Sequence, residues 1–277
     1  MEKQQQNQPI LYRFLVGILI GSGFIVPGVS GGALAAIFGM YERIIGFLAN
    51  VTKNFKENVL FFIPVGMGAV FGIVLFSFGV SFLLENYQTI VQWFFVGCIV
   101  GSAPALWREA GKKGRAQRDY ITLAIAFILG VIVLEFGNQL FGGQVQPSFL
   151  AWFISGGLIA LGILVPGLSP SNFIVYMGLY GKMSDGFKSL DTGIIIPIGL
   201  GGLATIILLS KAIEKIFKTQ YSLFFHFIFG VVIASTIEII PRDYSGFGLF
   251  QYGMCVVTLA LGTAMGWWMA QLEEKYK

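Results

Sequence analysis

Two short stretches, VPGVSGG at residues 26–32 and VPGLSPS at residues 165–171, interrupt apolar sequence at corresponding points in the two halves of the chain. The first lies within the apolar stretch Ile10 to Leu48, and the second lies within Phe149 to Met183. Proline removes a backbone donor and glycine frees the backbone, so each stretch predicts a break between two helices. At membrane depth such a break is tolerated only where it is buried in protein or lines a cavity. The sequence therefore predicts two broken, re-entrant helical hairpins.

The composition predicts that lipid is the solvent for most of the chain. Of 277 residues, 56% are hydrophobic and only 12% are charged, and the mean hydropathy is +0.78. A membrane helix needs about 20 apolar residues, and six further stretches approach or exceed that length: Asn58 to Leu84, Ile90 to Trp107, Tyr120 to Leu140, Gly193 to Ser210, Leu223 to Ile240 and Phe247 to Ala270. We expect one all-α polytopic membrane domain over residues 1–277, with six spans and two hairpins.

The two halves of the chain align as an internal repeat. Matched residues include Pro27 with Pro166, Ser30 with Ser169, Tyr41 with Tyr180, Pro64 with Pro197 and Gly97 with Gly230. This alignment predicts one repeat over residues 10–141 and a second over residues 149–271. A hairpin makes no net crossing and three spans follow it, so the second repeat is expected to be inverted relative to the first. Inverted repeats with interrupted helices are typical of secondary transporters, although a duplication kept for packing in a scaffold or an enzyme is the alternative.

The Lys and Arg distribution predicts the orientation. The segments predicted as basic loops, which fall on one face, are Arg43 to Lys56, Arg108 to Arg118 and Lys211 to Lys218. Loops with little basic charge, Glu85 to Gln88, Glu135 to Ser148 and Glu238 to Gly246, fall on the other face, as does the neutral Lys182 to Asp191. The positive-inside rule then places both termini in the cytoplasm, and we expect the protein to lie in the inner membrane. The basic residues form no aromatic, basic surface of the kind that binds nucleic acid.

The two breaks are candidate anion sites. The second arm of each hairpin begins with backbone N–H groups that have no intrahelical partner, and a helix N-terminus carries a partial positive charge. The candidate substrate-binding residues are Pro27, Gly28, Ser30, Gly31 and Gly32 in the first break, and Gly167, Ser169, Ser171 and Asn172 in the second. Capping by the serines and close helix packing at the glycines are the alternative roles.

Further charged residues are candidates for binding and coupling. Arg43 and Lys182 are matched by the repeat. Each is expected to lie roughly 18 Å from its break along the second arm of the hairpin, at 1.5 Å per residue. Both are candidate substrate-binding cations, with interfacial snorkelling as the alternative. Glu135, His226 and Glu238 are candidates for proton coupling, with packing or interfacial solvation as the alternative. The two cysteines form no ligand set, so no metal or other cofactor is expected.

At this point the residues support a resemblance to a known family. The paired VPG motifs, each followed by a Gly-x-Tyr at residues 39–41 and 178–180, resemble the bacterial polyprenyl-phosphate transporter family of the PopT type. The resemblance covers essentially the whole chain. It implies that the protein moves the carrier lipid undecaprenyl phosphate from the outer to the cytoplasmic leaflet. A proton or a sodium ion is the candidate coupling ion, and the sequence leaves the choice open. The sequence departs from a symmetric motif at Pro170, which donates no N–H where the first repeat has Gly31.

Two other functions remain open at the level of sequence. A carrier for a small soluble anion would use the same helix termini, but it would lack a side groove wide enough for an isoprenoid chain. An intramembrane lipid phosphatase would need a nucleophile with a base or a metal. With one histidine and no clustered acids, we expect a transporter and not an enzyme.

Overall fold

The computed structural model describes residues 9–25, 31–40, 43–44, 46–47, 52, 54–141, 145–164 and 171–276. Within these ranges every regular element is an α-helix and there is no strand, which confirms the all-α class. The helices are α1 (Ile10–Ile25), α2 (Gly31–Ile37), α3 (Phe55–Ala110), α4 (Gln117–Phe141), α5 (Phe149–Leu164), α6 (Ser171–Tyr176), α7 (Tyr180–Lys188), α8 (Thr192–Thr219), α9 (Tyr221–Ile239) and α10 (Leu249–Tyr276).

Four helices in the described part of the chain are long and apolar enough to cross a bilayer, namely α3, α8, α9 and α10. The chain is therefore a membrane protein. Helix α3 has 56 residues, roughly 84 Å at 1.5 Å per residue and far more than one bilayer requires. It contains both predicted spans Asn58 to Leu84 and Ile90 to Trp107, and it leaves helical geometry only at Tyr87 (φ −140°, ψ 36°).

Three segments predicted as loops are mainly helical. The prediction of a loop at Glu85 to Gln88 was wrong, because that segment is the kink of α3. The basic segment Lys211 to Lys218 lies within α8, and most of Lys182 to Asp191 lies within α7. Charged side chains at helix ends can reach the interface without a loop, so charge alone does not mark a helix boundary.

The second arm of each hairpin is shorter than the sequence predicted. Helices α2 and α6 end after one or two turns, at Ile37 and Tyr176. Each end is closely followed by a glycine with φ 68°, Gly39 or Gly178. The N–H of the residue after each glycine bonds back five residues, from Met40 to Ala35 (2.7 Å) and from Leu179 to Ile174 (3.2 Å). This is the Schellman ending, in which glycine adopts the left-handed conformation. The arms are therefore not continuous helices, so the rise of 1.5 Å per residue behind the predicted distance of roughly 18 Å does not apply over their whole length.

Residues matched by the repeat make matched contacts. A Cβ on Gly17 of α1 would collide with the backbone carbonyl of Val65 in α3, and a Cβ on Gly156 of α5 would collide with that of Ile198 in α8. The two glycines are 139 residues apart, as are Pro27 and Pro166. Their two partners are 133 residues apart, as are Pro64 and Pro197, so both contacts follow the repeat alignment. Only glycine allows helix backbones to approach this closely.

The last helix of each half packs against the other half. Gly97 of α3 lies against Leu259 of α10, while its counterpart Gly230 of α9 lies against Leu123 of α4. Buried residues of both hairpins, among them Ile25, Ile174 and Met183, meet in a cluster that includes Phe95 of α3. The two halves are thus interlocked around the hairpins.

Candidate functional site

A polar cavity of about 430 Å³ opens between α3, α6, α7 and α9. Its lining includes one cation, Lys182, together with two glutamines of α3, Gln88 and Gln92. The carboxylates in the lining are Glu85, Asp185 and Glu238, and the other residues are Ser81, Leu84, Phe95, Val175, Tyr176, Gly178, Tyr180, Gly181 and Ile239. Of the predicted binding and coupling residues, the structure thus brings Lys182 and Glu238 into one cavity.

Buried serines hold α7 against α3 beside this cavity. Ser81 Oγ donates to Ser184 Oγ at 3.1 Å, and Ser184 Oγ lies 3.1 Å from the carbonyl oxygen of Ser77. All three serines are buried. Lys182 lies on the exposed side of this short helix, and no carboxylate among the residues that the structure describes forms an ion pair with it. A cation held in this way is available to an anionic ligand.

One arginine links two of the candidates for proton coupling. Arg242 lies 3.0 Å from a carboxylate oxygen of Glu238 and 4.0 Å from one of Glu135. The side chain of Glu238 is only 4% exposed, whereas that of Glu135 is 47% exposed. Glu238 lines the cavity and Glu135 does not. Both acids were predicted as candidates for proton coupling, but only Glu238 lies in the cavity.

An apolar groove of about 640 Å³ lies next to the polar cavity. Its walls come from α3 on both sides of the kink and from α10, and its lining is Phe76, Gly79, Val80, Leu83, Tyr87, Ile90, Val91, Phe94, Phe95, Phe250, Met254 and Thr258. Phe95 belongs to both linings and meets the ring of Tyr180 edge-on at 5.7 Å. A polar compartment and an apolar compartment thus share one aromatic wall.

This pair of compartments was not predicted from the sequence, although the spacing of polar residues in α3 indicates it. Ser81, Glu85, Gln88 and Gln92 are spaced at four, three and four residues within an otherwise apolar stretch, which places them on one face of a helix. Glu85 and Gln88 were predicted to lie in a loop between two spans, and Ser81 and Gln92 were predicted to lie within those spans, so the shared face was not recognised.

Tyr180, from the second Gly-x-Tyr motif, is another cavity residue that was not predicted to bind substrate. It is 3% exposed and belongs to the cavity lining. Its hydroxyl is buried without a hydrogen-bond partner among the described residues. A buried hydroxyl without a partner costs about 1 to 3 kcal/mol, so a ligand that accepts its hydrogen bond would be favoured.

Most residues of the two breaks lie outside the described part of the chain: Pro27, Gly28, Ser30, Gly167 and Ser169. Gly31 is the first residue of α2, and a Cβ there would lie 3.1 Å from the carbonyl oxygen of Ile20. Close packing against α1 is therefore one role of this glycine. Gly32 lies within α2, and Ser171 and Asn172 begin α6. Anion binding at the breaks stays a prediction.

Arg43, the repeat partner of Lys182, has a different environment. Its Nε bonds to Oδ1 of Asn58 at 3.0 Å, and its guanidinium lies 3.5 Å from Glu57 and 3.7 Å from the ring centre of Phe61. Its side chain is 14% exposed. Arg43 is thus held against the start of α3 and does not line the cavity.

His226 is fully buried and lies away from the cavity. Its Nδ1 lies 2.8 Å from the backbone carbonyl oxygen of Ser222, so Nδ1 carries a proton, and its ring packs against Trp107 and Tyr120. The Ser222 hydroxyl donates to Asp119 at 2.9 Å. Because the serine proton goes to the carboxylate and Nδ1 is occupied, these three residues do not form a nucleophile activated by a base.

Asp119 anchors this cluster at the start of α4. Burial acts to raise the pKa of its carboxyl, but hydrogen bonds from the Ala116 N–H and the Ser222 hydroxyl, with the charges of His226 and Arg118, outweigh burial. The pKa of Asp119 is therefore lower than the ordinary value. The cluster ties the α3–α4 connection to α9 and has the character of a structural tie.

Fold and site together define the class, an α-helical membrane protein with a polar cavity beside an apolar groove. The family model of VCA0040-like proteins, described as undecaprenyl phosphate translocase-like, matches residues 20–247. The chain belongs to this family, which confirms the resemblance noted in the sequence.

Two relatives carry the name polyprenyl-phosphate transporter. The one from Vibrio cholerae is 22% identical over 245 residues, covering 83% of this chain and 78% of the relative. The one from Staphylococcus aureus is 28% identical over 242 residues, covering 82% of this chain and 85% of the relative. No solved structure matches the chain significantly.

Proposed function

We propose that this protein moves a polyprenyl phosphate, with undecaprenyl phosphate as the favoured lipid, across the bacterial inner membrane. In this proposal the phosphate occupies the polar cavity beside Lys182 and the first isoprene units lie in the apolar groove. The single observation that carries the proposal is that the two compartments share Phe95 as a common wall. An amphipathic lipid needs such an arrangement, because its charged and apolar ends require different surroundings.

The apolar groove favours a lipid over a small soluble anion. A soluble anion needs only the polar cavity, whereas a groove of about 640 Å³ lined mainly by aromatic and aliphatic side chains suits a hydrocarbon chain. The names of the two relatives point to the same class of substrate. Transport also accords with the geometry of Ser222, which is not that of a hydrolytic nucleophile.

We propose further that the two halves are inverted repeats that exchange roles during transport. The matched contacts of Gly17 and Gly156 support a common packing unit, and the interlocked α4 and α10 support a symmetric pair. The different surroundings of Arg43 and Lys182 support an alternating cycle, in which one repeat is open while the other is closed. The direction that we favour is from the outer to the cytoplasmic leaflet.

The two breaks keep a role in this proposal as the deeper phosphate sites. Val175 and Tyr176, at the C-terminal end of α6, line the cavity. Six residues of helix, about 9 Å, separate that end from the second break. A phosphate that leaves the cavity along α6 would then meet the N–H groups at the break. Glu238 is the carboxylate that we propose for proton coupling at the cavity.

The test of this function is to fill the groove. Gly79 lines it, and an added Cβ there meets nothing within 4 Å, so Gly79→Phe should place a ring in the groove without displacing backbone. Gly66→Phe is the matched control, since Gly66 lies in the same helix with the same open space but outside the groove. Movement of a fluorescent polyprenyl phosphate between leaflets of reconstituted vesicles should be slowed by Gly79→Phe and unchanged in the control.

Equal rates in the two variants would exclude the groove as the lipid site. Uptake of inorganic phosphate by wild-type vesicles, unaffected by Gly79→Phe, would favour the soluble-anion carrier. Orientation is checked separately in a background with Cys98 and Cys255 replaced. A cysteine at Gln117 should resist an impermeant thiol reagent added to intact cells, and one at Ser245 should react with it.

A further inference from the structure

The proposed phosphate site is richer in carboxylates than an anion site requires. Among the described residues of its lining, Lys182 is the one cation, and Glu85, Asp185 and Glu238 all contribute carboxylates. Arg242 forms an ion pair with Glu238 at 3.0 Å but is not among the lining residues. Even with Arg242 counted, carboxylates outnumber cations by one. A general trap for anions would have the opposite balance.

The carboxylates do not look like a metal site. In the part of the chain that the structure describes, no three acidic, histidine or cysteine side chains come close enough to share an ion. The acids instead occupy separate walls, with Glu85 on α3, Asp185 on α7 and Glu238 on α9. Their combined effect is a negative potential over the whole cavity, which acts on any ligand according to its charge.

We propose that these carboxylates select a lipid with one phosphate and reject a lipid with a diphosphate. The inference rests on the proposed function and deepens it by naming the residues that discriminate between one phosphate and two. A phosphate monoester carries between one and two negative charges near neutral pH, and a diphosphate carries at least one more. Lys182, the amides of Gln88 and Gln92, and the Tyr180 hydroxyl supply attraction for one phosphate group. Specificity is the difference between the affinities for two ligands. The carboxylates repel the additional charge of the diphosphate, so they lower its affinity more than that of the monophosphate.

Glu238 should contribute most to this selectivity. Its side chain is 4% exposed, whereas Glu85 and Asp185 are exposed residues. Charges near the surface are screened by water and salt, and buried charges much less. One additional charge within about 10 Å of a buried carboxylate is disfavoured by roughly tenfold in affinity at an effective dielectric constant near 20. Removing that carboxylate should therefore improve diphosphate binding more than monophosphate binding.

The experiment measures binding of farnesyl monophosphate and farnesyl diphosphate, which share one tail, to the full chain in nanodiscs. Wild type should prefer the monophosphate by at least tenfold, and Glu238→Gln should reduce that preference roughly tenfold. Glu135→Gln is the matched control, since Glu135 contacts the same Arg242 but lies outside the cavity. Its preference should stay within about twofold of wild type.

Two results would overturn the inference while leaving the proposed function intact. One is an unchanged preference in Glu238→Gln, and the other is an equal gain in affinity for both lipids. Glu85→Gln provides a second, exposed variant if Glu238→Gln does not fold, and it should shift the preference in the same direction, more strongly at low salt. Failure of wild type to bind the monophosphate at all would overturn the proposed function itself.

Discussion

Arg43 and Lys182 occupy matched positions in the two repeats, yet one is closed in by protein and the other faces a cavity. Arg43 contacts Asn58, Glu57 and Phe61, all from the start of α3. Lys182 has no carboxylate partner among the described residues and lines the polar cavity. The turn before each cation is the same, with Gly39 and Gly178 both at φ 68°. The turn geometry is thus the same at the two matched positions, while the surroundings of the two charges differ.

The comparison distinguishes the helix packing, which recurs in both halves, from the surroundings of the two cations, which differ. The glycine contacts between α1 and α3 recur between α5 and α8, because both halves need close helix approach. The polar cavity includes Lys182 in its lining and does not include Arg43. In the proposed cycle, the opposite state would open a cavity at Arg43 and close the one at Lys182. Substitutions at the shared helix contacts should affect both halves equally, whereas substitutions at the cavity should not.

The largest effect is expected at the shared helix contacts. Gly17→Leu and Gly156→Leu each force a side chain against a backbone carbonyl, of Val65 and Ile198 respectively. We expect each to destabilise the protein by about 3 kcal/mol or more, since overpacking against backbone cannot relax by a change of rotamer. Thermal unfolding in detergent would measure it, with Gly66→Leu as the control because space there is open. A large effect in only one half would contradict the shared packing.

The next effect concerns the two cations. Lys182→Ala should slow lipid movement by about 10- to 100-fold, because a charge-assisted hydrogen bond contributes about 1.5 to 3 kcal/mol. Arg43→Ala should slow it as well, and Arg43→Lys should restore part of the rate, since lysine lacks the planar fork. The measurement is leaflet-to-leaflet movement in vesicles, normalised to the protein inserted in each orientation. Wild-type rates for both alanine variants would show that the cations only anchor their helices at the interface.

A smaller effect is expected at a polar tie present in one half only. Asp119 bonds to Ala116 and Ser222. Leu123 and Leu259 make matched contacts with Gly230 and Gly97, and the residues four positions before them are Asp119 and Cys255. Cys255 is therefore the counterpart of Asp119 in the second half. Asp119→Ala should cost about 2 kcal/mol at neutral pH. The pKa of Asp119 is lowered in the folded protein, so its ionic contribution is complete above about pH 4, the ordinary aspartate value, and is lost as pH falls through the lowered value.

That pH dependence is best measured with Asp119→Asn, which resembles the protonated acid in shape. Thermal unfolding of this variant and of wild type should differ clearly at pH 7 and converge below about pH 4. Convergence at high pH instead would reverse the assigned sign. A difference that stays constant over the whole range would show that the ionised carboxylate is not the stabilising form.

The smallest effect is expected at the two turns. Gly39→Ala and Gly178→Ala each place a side chain at positive φ, which costs about 1 kcal/mol. Because both glycines end a short helix in the same way, the two losses of stability should agree within experimental error. Unfolding midpoints in denaturant measure them, and an effect in Gly178→Ala alone would indicate that the turn matters only where the cavity opens.

Much of the fold could be predicted from residues close together in the chain. Apolar stretches of bilayer length predicted the helices, and the paired VPG motifs predicted breaks near residues 26–32 and 165–171, where α1 and α5 end and α2 and α6 begin. The repeat alignment paired Gly97 with Gly230, and the structure places each of them against the backbone of a helix from the other half. Local composition carries this information because a membrane helix must satisfy its backbone within one segment.

What only the tertiary structure decided is which polar residues share a compartment. Lys182 and Glu238 lie 56 residues apart and meet Gln88 and Gln92 because α6, α7 and α9 pack around the kink of α3. The same packing leaves Glu135 outside the cavity, buries His226 and encloses Arg43, three residues that composition alone could not distinguish from cavity residues. A side chain's chemistry is written in the sequence, but its neighbours across helices depend on how distant segments pack, and packing is a property of the whole chain.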